Sequence, residues 1–275
     1  LNDAIGFDEI RLYPGKSYRH LLILKVRDPQ AFLNIKTIPP HDILEKDIKE
    51  YLPSGKESEM LLKLMETSRT EFSGHPINNV RVDLDENPAN MIWLWGQGTR
   101  PNLQKFEAKY GIKGAIISAV DLVNGIGKVA GLEIIDVPGI TGYYDTNYLG
   151  KAEYALKSLE KNDFVYVHVE APDEAGHNGD VKAKINAIEQ IDKHIVGTIL
   201  NHFDRWDDIR ILVAPDHPTP VKLRTHTSDP VGFIQFGKDV EKDEYKTYCE
   251  AICNTSKLKY ESGEKLLNDF INKHL

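Results

Sequence analysis

The chain has 275 residues, 41% of them hydrophobic and 28% charged, and its 34 Lys+Arg against 42 Asp+Glu leave a formal charge of −8. Such a composition belongs to a folded globular chain of one large or two ordinary domains, not a disordered one, and no apolar run reaches the ~18–20 residues that a membrane span needs. The acidic balance argues against nucleic-acid and membrane-surface partners. With only Cys249 and Cys253 present, a disulfide scaffold is excluded and the reducing cytoplasm is the expected compartment.

The chain opens on Leu1-Asn2-Asp3, without the Met, basic stretch or apolar stretch of a signal peptide. Residues 21–26 read as a strand and 57–72 as a helix, separated by the Pro- and charge-rich stretch 37–42. Residues 1–85 are expected to form a smaller α+β unit. The Asp85-Glu-Asn-Pro88 turn then leads into 91–95, where Trp93 and Trp95 alternate with Ile92 and Leu94 as core or sheet-face residues.

From about residue 110 strands and helices alternate. Residues 114–120 read as a buried strand, 121–131 as a helix ending on Gly, 132–137 as a strand and 147–159 as an amphipathic helix. Residues 163–169 are β-rich, and 181–201 form a long helix with Ile185, Ile188, Ile191, Ile195 and Ile199 at helical spacing. Residues 209–214 and 231–236 are further strands, Cys249 and Cys253 are spaced for one helix face, and 263–274 close the chain as a helix. This alternation, with continuous apolar strands, predicts the α/β class: a doubly wound, mainly parallel sheet within residues 86–275. In such sheets ligands sit beyond the carboxyl ends of the strands.

Two strand ends carry unusual chemistry. The strand 163–169 runs into Glu170-Ala-Pro-Asp-Glu-Ala-Gly-His177, where one helical turn brings Asp173 and His177 to one face. The strand 209–214 ends in Pro215-Asp216-His217-Pro-Thr-Pro220, followed by Thr225-His226. A single Asp-His pair in a loop is usually a turn residue beside a surface histidine. Two carboxylates and three imidazoles after successive strands instead form a divalent-metal donor set, one that suits Mn2+ or Zn2+ better than Ca2+. Glu170 is placed to orient a ligand, Asp180 to cap the helix that follows, and His168 reads as a core or edge histidine.

On the pair Asp173-Glu-Ala-Gly-His177 and Asp216-His217-Pro-Thr-Pro220 with Thr225-His226, the chain resembles the cofactor-independent phosphoglycerate mutases in their archaeal-type branch, within the alkaline phosphatase superfamily. Tyr18-Arg19-His20-Leu21, Asn87-Pro-Ala-Asn90, Trp95-Gly-Gln-Gly98, Val137-Pro-Gly139 with Thr141-Gly142, and Asp145-Thr-Asn147 with Gly150-Lys151 extend the likeness through most of the chain. The resemblance implies an alkaline-phosphatase-type sheet with an α+β insert, and two metal ions. Asp173, His177 and His226 would hold one and Asp216 and His217 the other, with Mn2+ expected first and Zn2+ or Mg2+ as alternatives. It implies phosphoryl transfer through a phosphoserine, interconverting 3- and 2-phosphoglycerate.

The family also implies an amino-terminal Asp-Gly motif and a nucleophilic serine, both ahead of the insert, and neither is found in this sequence. The expectation is therefore a fragment, inactive alone, whose residues 1–85 are the substrate-binding insert and whose residues 86–275 are the carboxyl-terminal part of the catalytic domain. Ser17, Ser73 and Ser228 carry nothing that makes them that nucleophile. A fragment of this kind exposes a sheet edge or covers it with a second copy, so a homo-oligomer is a candidate partner. Cations of the insert and its neighbourhood are expected on a small phosphorylated acid: Arg19, Arg81 and Lys151, then Arg100, each alternatively an ordinary surface charge. A related group sharing the Trp-Gly-Gln-Gly signature is read as homoserine kinase, which stands as the alternative enzyme, and a metal-binding module without turnover is the non-enzymatic one. No P-loop or dinucleotide fingerprint is present.

Overall fold

The computed structural model describes residues 1–15, 19–43 and 45–272; Ser17, Tyr18 and the expected helix end at His274 lie outside them. The chain forms two compact units, Leu1–Pro101 and a second from Asn102 onward.

In the first unit, β1 (Ile10–Tyr13) and β2 (Leu21–Leu24) pair antiparallel, with Ile10 opposite Leu24 and Tyr13 opposite Leu21. Side chains alternate across a strand, so Ile10, Leu12, Leu22 and Leu24 share the face that packs on Ile5 and Leu64. Leu64 belongs to the helix Ser58–Phe72, whose buried residues Leu61, Leu64, Met65 and Ser68 recur at the helical period. Residues 91–95 form no strand here and carry no regular secondary structure. Their polar groups find partners outside any ladder: the Ile92 amide donates to Ser68 Oγ (2.9 Å) and the Trp93 indole to the Ile38 carbonyl (2.8 Å).

The second unit is built on a three-stranded parallel sheet ordered β4-β3-β5, with β3 (Gly114–Ile117) central, β4 (Glu133–Ile134) on one side and β5 (Phe164–Val167) on the other. All four residues of β3 are buried, which accounts for its uninterrupted apolar run. The helix Asp121–Ala130 links β3 to β4 and stops at Gly131, which takes the left-handed conformation (φ 83°) that ends helices. Gly127 lets this helix lie close on β3, since a side chain there would meet Ile116 at 2.7 Å.

The helix Tyr148–Ser158 links β4 to β5 and is capped by Asn147, whose Oδ1 accepts from the Gly150 amide (2.8 Å) while its Nδ2 donates to the Pro138 carbonyl (2.9 Å). The Pro-Gly and Asp-Thr-Asn motifs thus close one turn ahead of that helix. Beyond β5 come the helices Ala171–Asn178 and Val181–Gln190, the latter continuing through a wider π-helical stretch, Ile191–Val196, into Gly197–Leu200. Tyr148, Ala152, Ala171, Ala187 and Ile195 form the core where these helices meet, and its small side chains permit close approach.

The last two strands, β6 (Arg210–Val213) and β7 (Ile234–Gly237), pair with each other antiparallel as a separate ribbon. The α/β class with a parallel sheet therefore holds, and the parallel part comprises three strands among the described residues. Cys253 lies in the short helix Ala251–Thr255 and Cys249 precedes it, so the two do not share a helix face.

Candidate metal centre

Two segments of the second unit make the site. The first is the helix Ala171–Asn178, begun by a proline in its first turn, closed by Gly179 (φ 71°) and followed at once by Asp180, whose Oδ1 caps the next helix at the Ala183 amide (2.9 Å). Its i, i+4 spacing puts Asp173 and His177 on one face, with His177 Nε2 at 3.3 Å from Asp173 Oδ2.

The second segment leaves β6 at Val213 and doubles back. The Pro220 carbonyl accepts from the amides of Leu223 and Arg224, both at 2.9 Å, and the Pro218 carbonyl from Thr227 (3.1 Å). That turn returns His226 to His217, with ring centroids 3.9 Å apart. His226 Nε2 lies 3.3 Å from Asp173 Oδ1 and 3.0 Å from His177 Nε2. Asp173, His217 and His226 offer ligand atoms that all lie within 4.8 Å of one another.

Hydrogen bonding fixes what these nitrogens can do. His177 Nδ1 is 3.0 Å from the Arg224 carbonyl, and a carbonyl only accepts, so Nδ1 carries a proton and, in the neutral ring, Nε2 presents the lone pair. That lone pair faces His226 Nε2, with a carboxylate oxygen beside each nitrogen. Lone pairs so convergent repel one another unless a proton or a cation lies between them. Adjacent ligand atoms bound to one ion at about 2.0–2.2 Å sit roughly 2.8–3.6 Å apart in octahedral or tetrahedral geometry. The spacings of 3.0, 3.3 and 3.3 Å match that, and the two-nitrogen, one-carboxylate chemistry fits a divalent cation.

Of the five sequence-predicted ligands, the structure gathers Asp173, His177, His217 and His226 most tightly. Asp216 stands beside them: its Oδ1 accepts from the His217 amide (3.1 Å), its Oδ2 is 3.5 Å from His217 Nε2, and its side chain is 67% exposed. Its charge reaches β5, where it helps raise the Tyr166 pKa that burial has already pushed up.

Behind the site, at the carboxyl ends of β3 and β5, His168 Nδ1 contacts Ser118 Oγ (3.2 Å). Burial, and then the positive charge of Lys151, hold the His168 pKa below the usual histidine value against the pull of Asp216 and Asp173. Lys151 is only 1% exposed, and its amine donates to the His168 carbonyl at 2.5 Å. Arg81 gives its Nε to the Asn87 carbonyl (2.7 Å) and pairs with Glu86 (3.5 Å), while Arg19 and Arg100 are exposed.

Sequence reasoning missed three contributors. Thr219, 4% exposed, donates from Oγ1 to Asp173 Oδ1 and lies 3.3 Å from His217 Nδ1. Lys184 donates to the Thr219 carbonyl (2.6 Å), and Arg224 offers the carbonyl that orients His177. The one available signal was Thr219 standing between two prolines directly after Asp216-His217.

A parallel-sheet unit with imidazoles and a carboxylate past its strand ends is the architecture of a metal-dependent enzyme. The model of the Metalloenzyme superfamily matches residues 20–266, and the chain belongs to that superfamily. A probable 2,3-bisphosphoglycerate-independent phosphoglycerate mutase of Geobacter sulfurreducens is 43% identical over 99% of this chain and 68% of its own length. The 2,3-bisphosphoglycerate-independent phosphoglycerate mutase of Methanothrix thermoacetophila is 48% identical over 87% of this chain and 60% of its own length. Within the superfamily the chain is thus a member of the cofactor-independent phosphoglycerate mutase family.

Among solved structures, a protein of Pyrococcus horikoshii is similar with a TM-score of 0.63 and 31% identity, covering 70% of this chain and 51% of that one. The cofactor-independent phosphoglycerate mutase of Thermoplasma acidophilum, at 23% identity, shares the fold with a TM-score of 0.57, covering 94% of this chain and 64% of its own. The chain spans about two thirds or less of the length of these relatives. Among the described residues no helix is long and apolar enough to cross a membrane.

Proposed function

We propose that the full-length protein interconverts 3-phosphoglycerate and 2-phosphoglycerate without 2,3-bisphosphoglycerate, as an isomerase of glycolysis in the cytoplasm. The observation that carries this reading is the convergence of His177 Nε2, His226 Nε2 and the Asp173 carboxylate at 3.0–3.3 Å in a chain of the phosphoglycerate mutase family.

Asp173, His177 and His226 are proposed to hold one divalent ion, and His217 and Asp216 to contribute to a second. The mixed nitrogen and oxygen donors suit Mn2+ or Zn2+ better than Ca2+, and Mn2+ is proposed first on the family resemblance. When bound, such ions make a hydroxyl more acidic and neutralise charge on transferring phosphoryl oxygens. The chain's own part is to hold these donors in register and to keep His177 in the tautomer that leaves Nε2 free.

The serine that takes the phosphoryl group, and a further aspartate ligand, are proposed to lie outside this chain, in the part of the relatives that it does not cover. The unit Leu1–Pro101 is proposed to bind substrate, with Arg19 and Arg81 as its cations for phosphate and carboxylate groups. Lys151, with its amine on a main-chain carbonyl, is assigned to holding the backbone near the site.

The test is an assay of the full-length protein with 3-phosphoglycerate and no bisphosphoglycerate. Mn2+-dependent formation of 2-phosphoglycerate is expected, abolished by His177→Ala and by His217→Ala. Activity that appears only with ATP and homoserine would replace this reading with a kinase. Unchanged activity in both variants would remove the proposed ligands.

A further inference from the structure

Thr219 occupies an unusual position for a neutral residue. Its hydroxyl lies between the two segments that build the site, donating to Asp173 Oδ1 on one side and 3.3 Å from His217 Nδ1 on the other. The side chain is 4% exposed, so water does not compete for these bonds. A hydroxyl has one proton and can also accept. The ionised Asp173 carboxylate only accepts, so it takes that proton. What reaches His217 Nδ1 is therefore an oxygen lone pair, and His217 must donate from Nδ1.

We infer that Thr219 is a positioning residue for the metal centre: it holds the Asp173 carboxylate in place and fixes His217 as the Nδ1–H tautomer, leaving its Nε2 lone pair for a metal ion. His177 reaches the same state through the Arg224 carbonyl, so two imidazoles from different segments are set by two different acceptors. The Thr219 backbone is itself anchored. Its carbonyl accepts from Lys184 Nζ at 2.6 Å. Gly176, between Asp173 and His177, lets the helix lie directly against that carbonyl, which a side chain at this position would overlap. Pro218 and Pro220 restrict the chain on either side. Partners of metal ligands characteristically change metal affinity by about 10–100-fold when removed.

The assignment rests on the metal reading above, and the two are separable by experiment. Mn2+ binding to the full-length protein and to its Thr219→Val and Thr219→Ser variants is measured by calorimetry without substrate. Circular dichroism reports folding, and nitrogen-15 NMR reports the histidine tautomers in the metal-free proteins. Thr219→Val is expected to bind Mn2+ about 10–100-fold more weakly while Thr219→Ser stays close to the parent, and His217 in the parent is expected to carry its proton on Nδ1.

Parent-like affinity in a folded Thr219→Val, or a parent His217 protonated on Nε2, overturns the role of Thr219. If Thr219→Val does not fold, the tautomer in the parent decides by the same criterion. A parent that binds no Mn2+ removes the metal reading and this one together, whereas equal binding by parent and folded Thr219→Val removes only the assignment to Thr219.

Discussion

The Lys151 ammonium sits where water does not reach, donating to the His168 carbonyl at 2.5 Å. Burial lowers its pKa from 10.5 to about 8, against a smaller opposing pull from the Glu170 carboxylate. Between pH 8 and 10.5 the unfolded chain keeps this proton while the folded chain releases it, so stability contributed at this position rises with pH across that window and is lowest below pH 8. The full excursion is worth roughly 3 kcal/mol. Lys151→Met removes this dependence and leaves the His168 carbonyl without its donor, which costs about 1–3 kcal/mol. Urea unfolding of parent and variant at pH 7.5 and pH 10 is expected to show the parent gaining on the variant by about 2–3 kcal/mol as pH rises. Parallel pH profiles would show that Lys151 is not the titrating group. A Gly-Lys dipeptide in a sequence does not say which way the amine points. Here the Asn147 cap and the close approach of Gly150 to the Asn147 side chain set the helix start, and the amine follows inward.

Helices in this protein carry glycines of two kinds, one in open space and one at a close contact, and they predict opposite outcomes. Gly125, in the helix Asp121–Ala130, has nothing within 4 Å of where a Cβ would stand. Gly125→Ala is therefore expected to stabilise by about 0.5–1 kcal/mol through helix propensity alone. Gly176 faces the Thr219 carbonyl, and an added methyl would also meet Thr219 Cγ2 at 2.9 Å. Gly176→Ala is expected to destabilise by about 1–3 kcal/mol and to weaken Mn2+ binding, because the helix carrying Asp173 and His177 must shift away from Thr219. Urea melts and Mn2+ calorimetry on both variants check this pair, and a Gly176→Ala protein as stable as the parent would disprove the close packing. Much at this scale was legible in the sequence, because caps are local: Gly131 and Asp180 act where the residue pattern put them, and Asp173 and His177 share the expected face. The stretch Ile191–Val196 was not legible. Its π-helical turns hold more residues than α-helical ones and rotate the apolar stripe, so Ile195 is buried while Ile185 and Ile188, read as part of the same face, are about half exposed. The pairing of β6 with β7 was equally hidden, since an apolar run names a strand but not its neighbour.

At the scale of the whole chain, the four converging side chains proposed as ligands all belong to the unit that begins at Asn102, and none to Leu1–Pro101. Ligand binding stabilises only the folded structure that binds, so a metal ion at about 100 times its dissociation constant adds about 2.7 kcal/mol to that unit and nothing direct to the other. The three tryptophans report the units separately, because Trp93 and Trp95 lie in the first and Trp206, beneath the Arg205 guanidinium at 5.0 Å, lies in the second. Urea unfolding of the 275-residue chain is to be followed by fluorescence in two variants, Trp206→Phe and the double variant Trp93→Phe/Trp95→Phe. Saturating Mn2+ is expected to move the Trp206 transition to higher urea, an effect that a chelator reverses, and to leave the Trp93/Trp95 transition in place. His177→Ala, which deletes one of the paired lone-pair donors, is expected to remove the shift while leaving the metal-free transition within about 1 kcal/mol, as befits a partly exposed side chain. A Trp206 transition indifferent to Mn2+ would mean that these side chains do not form a working site without the further residues proposed to lie outside this chain. A common shift of both transitions would mean that the two units unfold as one.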